Sequence, residues 1–142
     1  MILYCDTSAL IKLYLQEEAS TAMLEHAAQA GMLAVCRIAW AEAMAGMARR
    51  ARETPADAET LQAARQRLRE HWPRYAVVEL TQALVELAGD YADAFALRGY
   101  DSVQLAAART LQIAAQEPVR FACFDARLRK AASVLGMTPI PA

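Results

Sequence analysis

Residues 1–15, MILYCDTSALIKLYL, decide the fold. MILYC is a continuous apolar run without alternation, which fits a strand buried on both faces, as in a parallel sheet. The run ends at Asp6. From Leu10 the apolar residues Leu10, Ile11, Leu13, Tyr14 and Leu15 switch to a helical stripe, with Thr7 and Ser8 as candidate caps. A strand that hands over at once to a helix opens a βα unit, and here a carboxylate stands at the handover.

The same alternation continues downstream. A helix over 20–30 stops at Gly31, and MLAVC at 32–36 reads as a second buried strand. Residues 38–52 carry an alanine-rich helix, Thr54 and Pro55 interrupt it, and 56–71 form a polar, arginine-rich helix ending before Pro73; the two make a projecting hairpin. YAVVEL at 75–80 gives a third strand, followed by a helix from Thr81 to Leu97 that ends near Gly99. Asp101 caps a further helix, VRFACF at 119–124 is a fourth strand, Asp125 opens a helix to Gly136, and TPI at 138–140 adds a short last strand. Strands separated by helices imply an α/β fold, a three-layer α/β/α sandwich around a mainly parallel sheet. No repeat, linker or low-complexity segment divides the chain, so one domain over 1–142 is expected.

Composition narrows the class. With 142 residues, 56% hydrophobic and 22% charged, the chain suits a single core. No apolar stretch approaches the roughly 20 residues of a membrane span, and the start lacks a secretory pattern, so a cytosolic protein is expected. Cys5, Cys36 and Cys123 lie in apolar runs without CxxC spacing and read as reduced core residues. His26 and His71 have no ligand spacing, which leaves oxygen as the donor for any metal. The formal charge of -1 does not suggest a nucleic-acid binder; with four of the 16 acids set aside as metal ligands, 15 basic residues face 12 acidic ones, a formal +3.

The acids to set aside are Asp6, Glu42, Asp101 and Asp125. Ligands of open parallel sheets bind outside the carboxyl ends of the strands, and Asp6 and Asp125 each follow an apolar run. Asp101 begins a helix, and Glu42 lies about one turn into the helix after the second strand. Each aspartate alone reads more simply as a helix cap, worth about 0.5–2 kcal/mol. Glu42, inside IAWAEAMAGM, would be costly to bury unless it reached solvent or an arginine such as Arg37. Together, acids at one end of one sheet repel each other unless a cation neutralises them. An oxygen-only set suits Mg²⁺ or Mn²⁺.

On these residues the chain resembles the PIN-domain family and, within it, the VapC-type toxins of bacterial toxin–antitoxin pairs. The resemblance covers nearly the whole chain: CDTSALIKLY at 5–14, RIAWAEAMAGMARR at 37–50, LRGYDSVQLAAA at 97–108, FACFDARLRKAA at 121–132 and the closing GMTPI. Gln104 stands where many relatives carry His, and Cys123 where many have a small hydroxyl residue. The resemblance implies that Asp6, Glu42, Asp101 and Asp125 hold one or two Mg²⁺ ions, with Thr7 or Ser8 helping through a hydroxyl or by fixing the turn. It also implies an endoribonuclease that cleaves single-stranded or looped RNA by metal-activated water and leaves a 5′-phosphate. A homodimer and a cognate antitoxin whose tail enters the acidic cleft follow from the same source.

Other features carry weaker signals. Lys12, one helical turn beyond Ser8, could meet a phosphate or simply be solvated. Arg49, Arg50 and Arg52, with Arg65, Arg67 and Arg69 in the facing helix, could guide RNA or form a solvated face balanced by Glu59 and Glu70. Trp40, Ala43, Met44 and Met47 form an apolar stripe that reads as core, with a partner groove as the sharper option. A haloacid-dehalogenase-like phosphatase expects Asp-x-Asp, and Ser8 stands at the second acid's place; a receiver domain lacks its paired acids and its lysine. A catalytically inactive PIN-fold RNA- or protein-binding module is the remaining alternative, and the intact acids argue against it.

Overall fold

The computed structural model describes residues 1–142. Five strands, β1 (Ile2–Cys5), β2 (Met32–Cys36), β3 (Ala76–Val78), β4 (Val119–Ala122) and β5 (Thr138–Ile140), form one sheet in the order β3-β2-β1-β4-β5. Every pairing is parallel, with Ile2 opposite both Met32 and Val119. Seven helices connect them: α1 (Thr7–Lys12), α2 (Ser20–Gln29), α3 (Ala39–Glu53), α4 (Ala58–His71), α5 (Gln82–Phe95), α6 (Gly99–Ala115) and α7 (Ala126–Val134). No helix is long and apolar enough to cross a membrane.

Side chains alternate across a strand, and β1 shows how that makes three layers. Ile2 and Tyr4 enter a core with Phe121 of β4, Leu84 of α5, Leu105 of α6 and Leu128 of α7. Leu3 and Cys5 enter the opposite core with Leu10 of α1, Met23 of α2, Met47 of α3 and Leu68 of α4. The three cysteines are all buried and unpaired. The hairpin of α3 and α4 therefore buries one face against the sheet, and the stripe of Ala43, Met44 and Met47 is core. Only its far end, residues 52–60, is exposed throughout. Trp40 alone of the stripe is half-buried, edge-on to Trp72 with ring centroids 5.2 Å apart.

Several boundaries differ from the sequence expectation. The strands β3 and β4 are shorter than YAVVEL and VRFACF, because Leu80 and Phe124 lie beyond the paired registers and are exposed. A 3₁₀ turn at Pro55–Asp57 precedes α4, and a second one at Trp72–Arg74 follows it. Gly99 does not end α5: Ala96, with φ +54°, closes that helix and Gly99 opens α6. The helix α2 likewise stops at Gln29, before Gly31.

Candidate functional site

The chain runs from β1 outward to β2 and β3, then returns to place β4 on the other side of β1. The crevice at the carboxyl ends of β1 and β4 is thus the topological switch point, the usual ligand position of such sheets. Asp6 directly follows β1, and its backbone N–H still donates to the Ala122 carbonyl at 3.1 Å. Asp125 lies three residues past the end of β4. A cavity of about 440 Å³ opens there, lined by Asp6, Glu42, Asp101 and Asp125 together with Thr7, Ser8, Gln104, Arg49 and Arg98. Asp6 and Asp101 are each only 7% exposed.

Asp6, rather than Thr7 or Ser8, is the cap of α1; the latter two are its first helical residues. The Ala9 N–H and the Ser8 hydroxyl donate to Asp6 Oδ1 at 2.9 and 2.7 Å. Asp125 caps α7 in the same way, its Oδ1 accepting from the Leu128 N–H at 3.0 Å. In both aspartates the capping bonds engage Oδ1, so capping and a role in the cavity are compatible. Asp101 is not a cap: Arg98 holds that position, and Asp101 sits in the first turn of α6, where the helix dipole favours a carboxylate.

Glu42, in the first turn of α3, does not reach Arg37, which pairs with Glu79 instead. Its Oε1 accepts from the Thr7 hydroxyl at 2.8 Å and from Gln104 Nε2 at 3.3 Å. Gln104 is oriented in turn by Tyr4, whose phenol donates to its Oε1 at 2.6 Å. Tyr4 is wholly buried, and desolvation raises its pKa far enough to keep it a donor. Gln104 thus bridges α6 to the Asp6 turn without charge. Cys123 packs in the core, and burial pushes its thiol up, so it adds a neutral side chain near the acids.

The acids strain one another electrostatically. Burial pushes the Asp6 carboxyl up to about 6; the Ala9 and Ser8 hydrogen bonds oppose this, and the charges of Asp101 and Glu42 add to it. Burial also raises Asp101, against the pull of Arg98 and with a further push from Asp125. Arg98 Nε lies 3.4 Å from Asp101 Oδ2, and its terminal nitrogen lies 3.7 Å from Asp125 Oδ2. As the side chains stand, no three carboxylates come together closely enough to bind one ion among themselves.

Other expected residues are engaged elsewhere. Lys12 does not line the cavity: it pairs with Glu17 at 3.4 Å and lies 4.8 Å from the centre of the Phe124 ring. Of the hairpin arginines, Arg49 lines the cavity, Arg50 pairs with Glu17 at 2.6 Å and Arg67 donates to the Tyr14 carbonyl at 2.7 Å. Tyr4 and Arg98 were not singled out from sequence. Tyr4 meets Gln104 across 100 positions, which leaves no local signal. Arg98 stands three residues before Asp101, an i,i+3 spacing that does put opposite charges together at a helix start.

An all-parallel α/β protein with an acidic cavity at its switch point is a recognisable class, and comparison with known proteins narrows it. The PIN domain family model matches residues 3–134, and the chain belongs to that family. It is 34% identical over 144 residues to ribonuclease VapC45 of Mycobacterium tuberculosis, covering 99% of this chain and 96% of that protein. Among solved structures, M. tuberculosis VapC20, a sarcin-ricin loop cleaving toxin, superposes with a TM-score of 0.65 at 16% identity, covering 91% and 94% of the two chains. VapBC2 from Rickettsia felis, bound to a DNA fragment from its promoter, gives 0.63 at 12% identity, covering 99% and 98%.

Proposed function

We propose that the protein is a Mg²⁺-dependent endoribonuclease, the toxin of a toxin–antitoxin pair, acting on single-stranded or looped RNA. One observation carries this reading: four carboxylates from four separate segments line a single cavity, two of them almost wholly buried. Arg98 faces only Asp101 and Asp125, so such a charge set stays destabilising unless a further cation joins it. Mg²⁺ is commonly held by one or two carboxylates and keeps several waters, so oxygen donors that do not close into a cage fit it; Mn²⁺ shares the preference. Asp6, Glu42, Asp101 and Asp125 are the residues that would hold it. When bound, the ion supplies an acidified water and a positive charge for the leaving oxygen.

The remaining work belongs to side chains. Ser8 and the Ala9 N–H fix one oxygen of Asp6, while Thr7 and Gln104 fix Glu42. Arg49 offers a guanidinium to an RNA phosphate on the cavity wall. Hydrolysis breaks a P–O bond, leaving a 5′-phosphate and a 3′-hydroxyl. Unpaired nucleotides are favoured because they can be splayed into a cavity. The antitoxin belongs to the same reading, supported by VapBC2 among the structural neighbours. A cleft rich in carboxylates would accept a basic antitoxin tail. A homodimer, checked by analytical ultracentrifugation, completes it.

The test is cleavage of a structured-RNA pool with Mg²⁺ or Mn²⁺, with EDTA and Asp6→Asn as controls. Cuts lost in both controls support the nuclease. Folded protein that binds RNA and never cuts it would make the chain a binding module.

A further inference from the structure

The loop between α5 and α6 is short. Ala96 turns it, Leu97 anchors it in the core at 8% exposure, and Arg98 follows in an extended conformation with φ -68° and ψ 157°. The backbone of Arg98 is therefore pinned, yet its side chain is 66% exposed. The guanidinium reaches back to two carboxylate oxygens, Asp101 Oδ2 and Asp125 Oδ2. The distances, 3.4 and 3.7 Å, exceed the roughly 2.7–2.9 Å of a tight charge-assisted hydrogen bond. The arginine is held by charge without being locked. The Tyr100 ring, 5.2 Å from the guanidinium carbon, gives it a second attractive surface outside the carboxylate pair.

We propose that Arg98 is a built-in counter-ion that competes with the divalent cation for the Asp101–Asp125 half of the cavity, and so sets the metal concentration at which that half fills. This rests on the metal-dependent reading above. Without metal, the guanidinium screens two acids that would otherwise repel each other. With metal, the same two oxygens cannot serve both cations, and the one on a flexible, exposed stem is displaced. Asp6 and Glu42 have no such competitor, since their partners are neutral hydroxyl, amide and backbone groups.

The experiment is a Mn²⁺ titration of the full chain without RNA, by calorimetry and by paramagnetic resonance of free Mn²⁺. Wild type is compared with Arg98→Gln, Arg98→Lys, Arg127→Gln and Asp6→Asn, each checked for cooperative thermal unfolding. Arg127 is the control for charge without pairing: it lines the same pocket as Asp101 and Asp125, yet its guanidinium donates to the Ala96 carbonyl at 3.3 Å and, unlike Arg98, forms no ion pair with either acid. Arg98→Gln should bind Mn²⁺ about tenfold more tightly than wild type, as expected for removing one positive charge beside a divalent site near the surface. Arg98→Lys should fall between the two, and Arg127→Gln should tighten binding by less than Arg98→Gln does; equal tightening in both overturns direct competition for the two oxygens. The metal-free melting temperature should drop in Arg98→Gln and recover on Mn²⁺ addition. Equal affinity in wild type, Arg98→Gln and Arg127→Gln overturns the competition and leaves the nuclease reading standing. No Mn²⁺ binding in wild type or in Arg98→Gln overturns both.

Discussion

The two halves of the acidic cavity are built differently. Asp6 and Glu42 are held by neutral donors: a helix-start amide, two hydroxyls and a glutamine that is itself fixed by a buried tyrosine. Asp125 also takes a helix-start amide on Oδ1, but the Oδ2 atoms of Asp101 and Asp125 are bridged by one exposed arginine at ion-pair distance. Neutral donors position a carboxylate without cancelling its charge, so the first half keeps its demand for a cation. An arginine cancels charge and, on the proposed metal binding, would have to be displaced. The first half is therefore preorganised, and the second is exchangeable.

The largest effect should come from the preorganised half. Asp6→Asn keeps shape and removes charge, and is expected to reduce RNA cleavage by about 10³-fold or more, as follows from losing several kcal/mol of metal-borne stabilisation. Cleavage rates at saturating Mg²⁺ check it; a loss no greater than that of Asp125→Asn would erase the distinction between halves. Gln104→Leu comes next. It takes a donor from Glu42 and leaves the Tyr4 hydroxyl unpaired, with about 10–100-fold lower metal affinity or activity expected and a stability loss of about 1–3 kcal/mol. Urea unfolding and Mn²⁺ titration separate the two effects.

A pH experiment sharpens the same contrast. The folded Asp6 carboxyl titrates near 6 against an ordinary 3.8. Because the folded value is the higher, the favourable contribution is complete at acid pH below the ordinary value and is lost as pH rises through about 6. Deprotonation should thus cost the metal-free protein up to roughly 3 kcal/mol by pH 7.5. On the proposed metal site, Mg²⁺ would bind the deprotonated form and offset that cost. The Mg²⁺-induced rise in melting temperature should be larger at pH 7.5 than at pH 5, and the difference should shrink in Asp6→Asn. An equal rise at both pH values would remove Asp6 from the metal site.

The smallest effect is expected at Lys12, which is tied to Glu17 outside the cavity. Lys12→Met should change stability by no more than about 1 kcal/mol and leave RNA affinity in place. RNA binding weakened as much as in Arg49→Gln, measured by filter binding, would restore the phosphate role that its position one turn beyond Ser8 suggests.

Much of this was legible in the chain itself. The apolar runs at 1–5 and 32–36 and the helical stripes between them specify parallel strands, buried over Ile2–Cys5 and Ala34–Cys36 with Met1 and Met32 exposed at the run ends, because backbone periodicity is local and burial largely follows it. Asp6, Glu42, Asp101 and Asp125 could be singled out because each stands just after a strand or in a first helical turn, positions that neighbouring residues define. Their meeting in one cavity depended on strand order, which places β4 against β1 and creates the switch point between them. The tertiary structure alone decided that Tyr4 would orient Gln104 from 100 positions away, that Glu42 would take Thr7 and Gln104 rather than Arg37, and that Arg98 would span Asp101 and Asp125. Local pattern determines which face of an element is buried; the partner of a buried polar group is set by what the chain's crossings bring opposite it, and a wholly buried hydroxyl such as that of Tyr4 must find one.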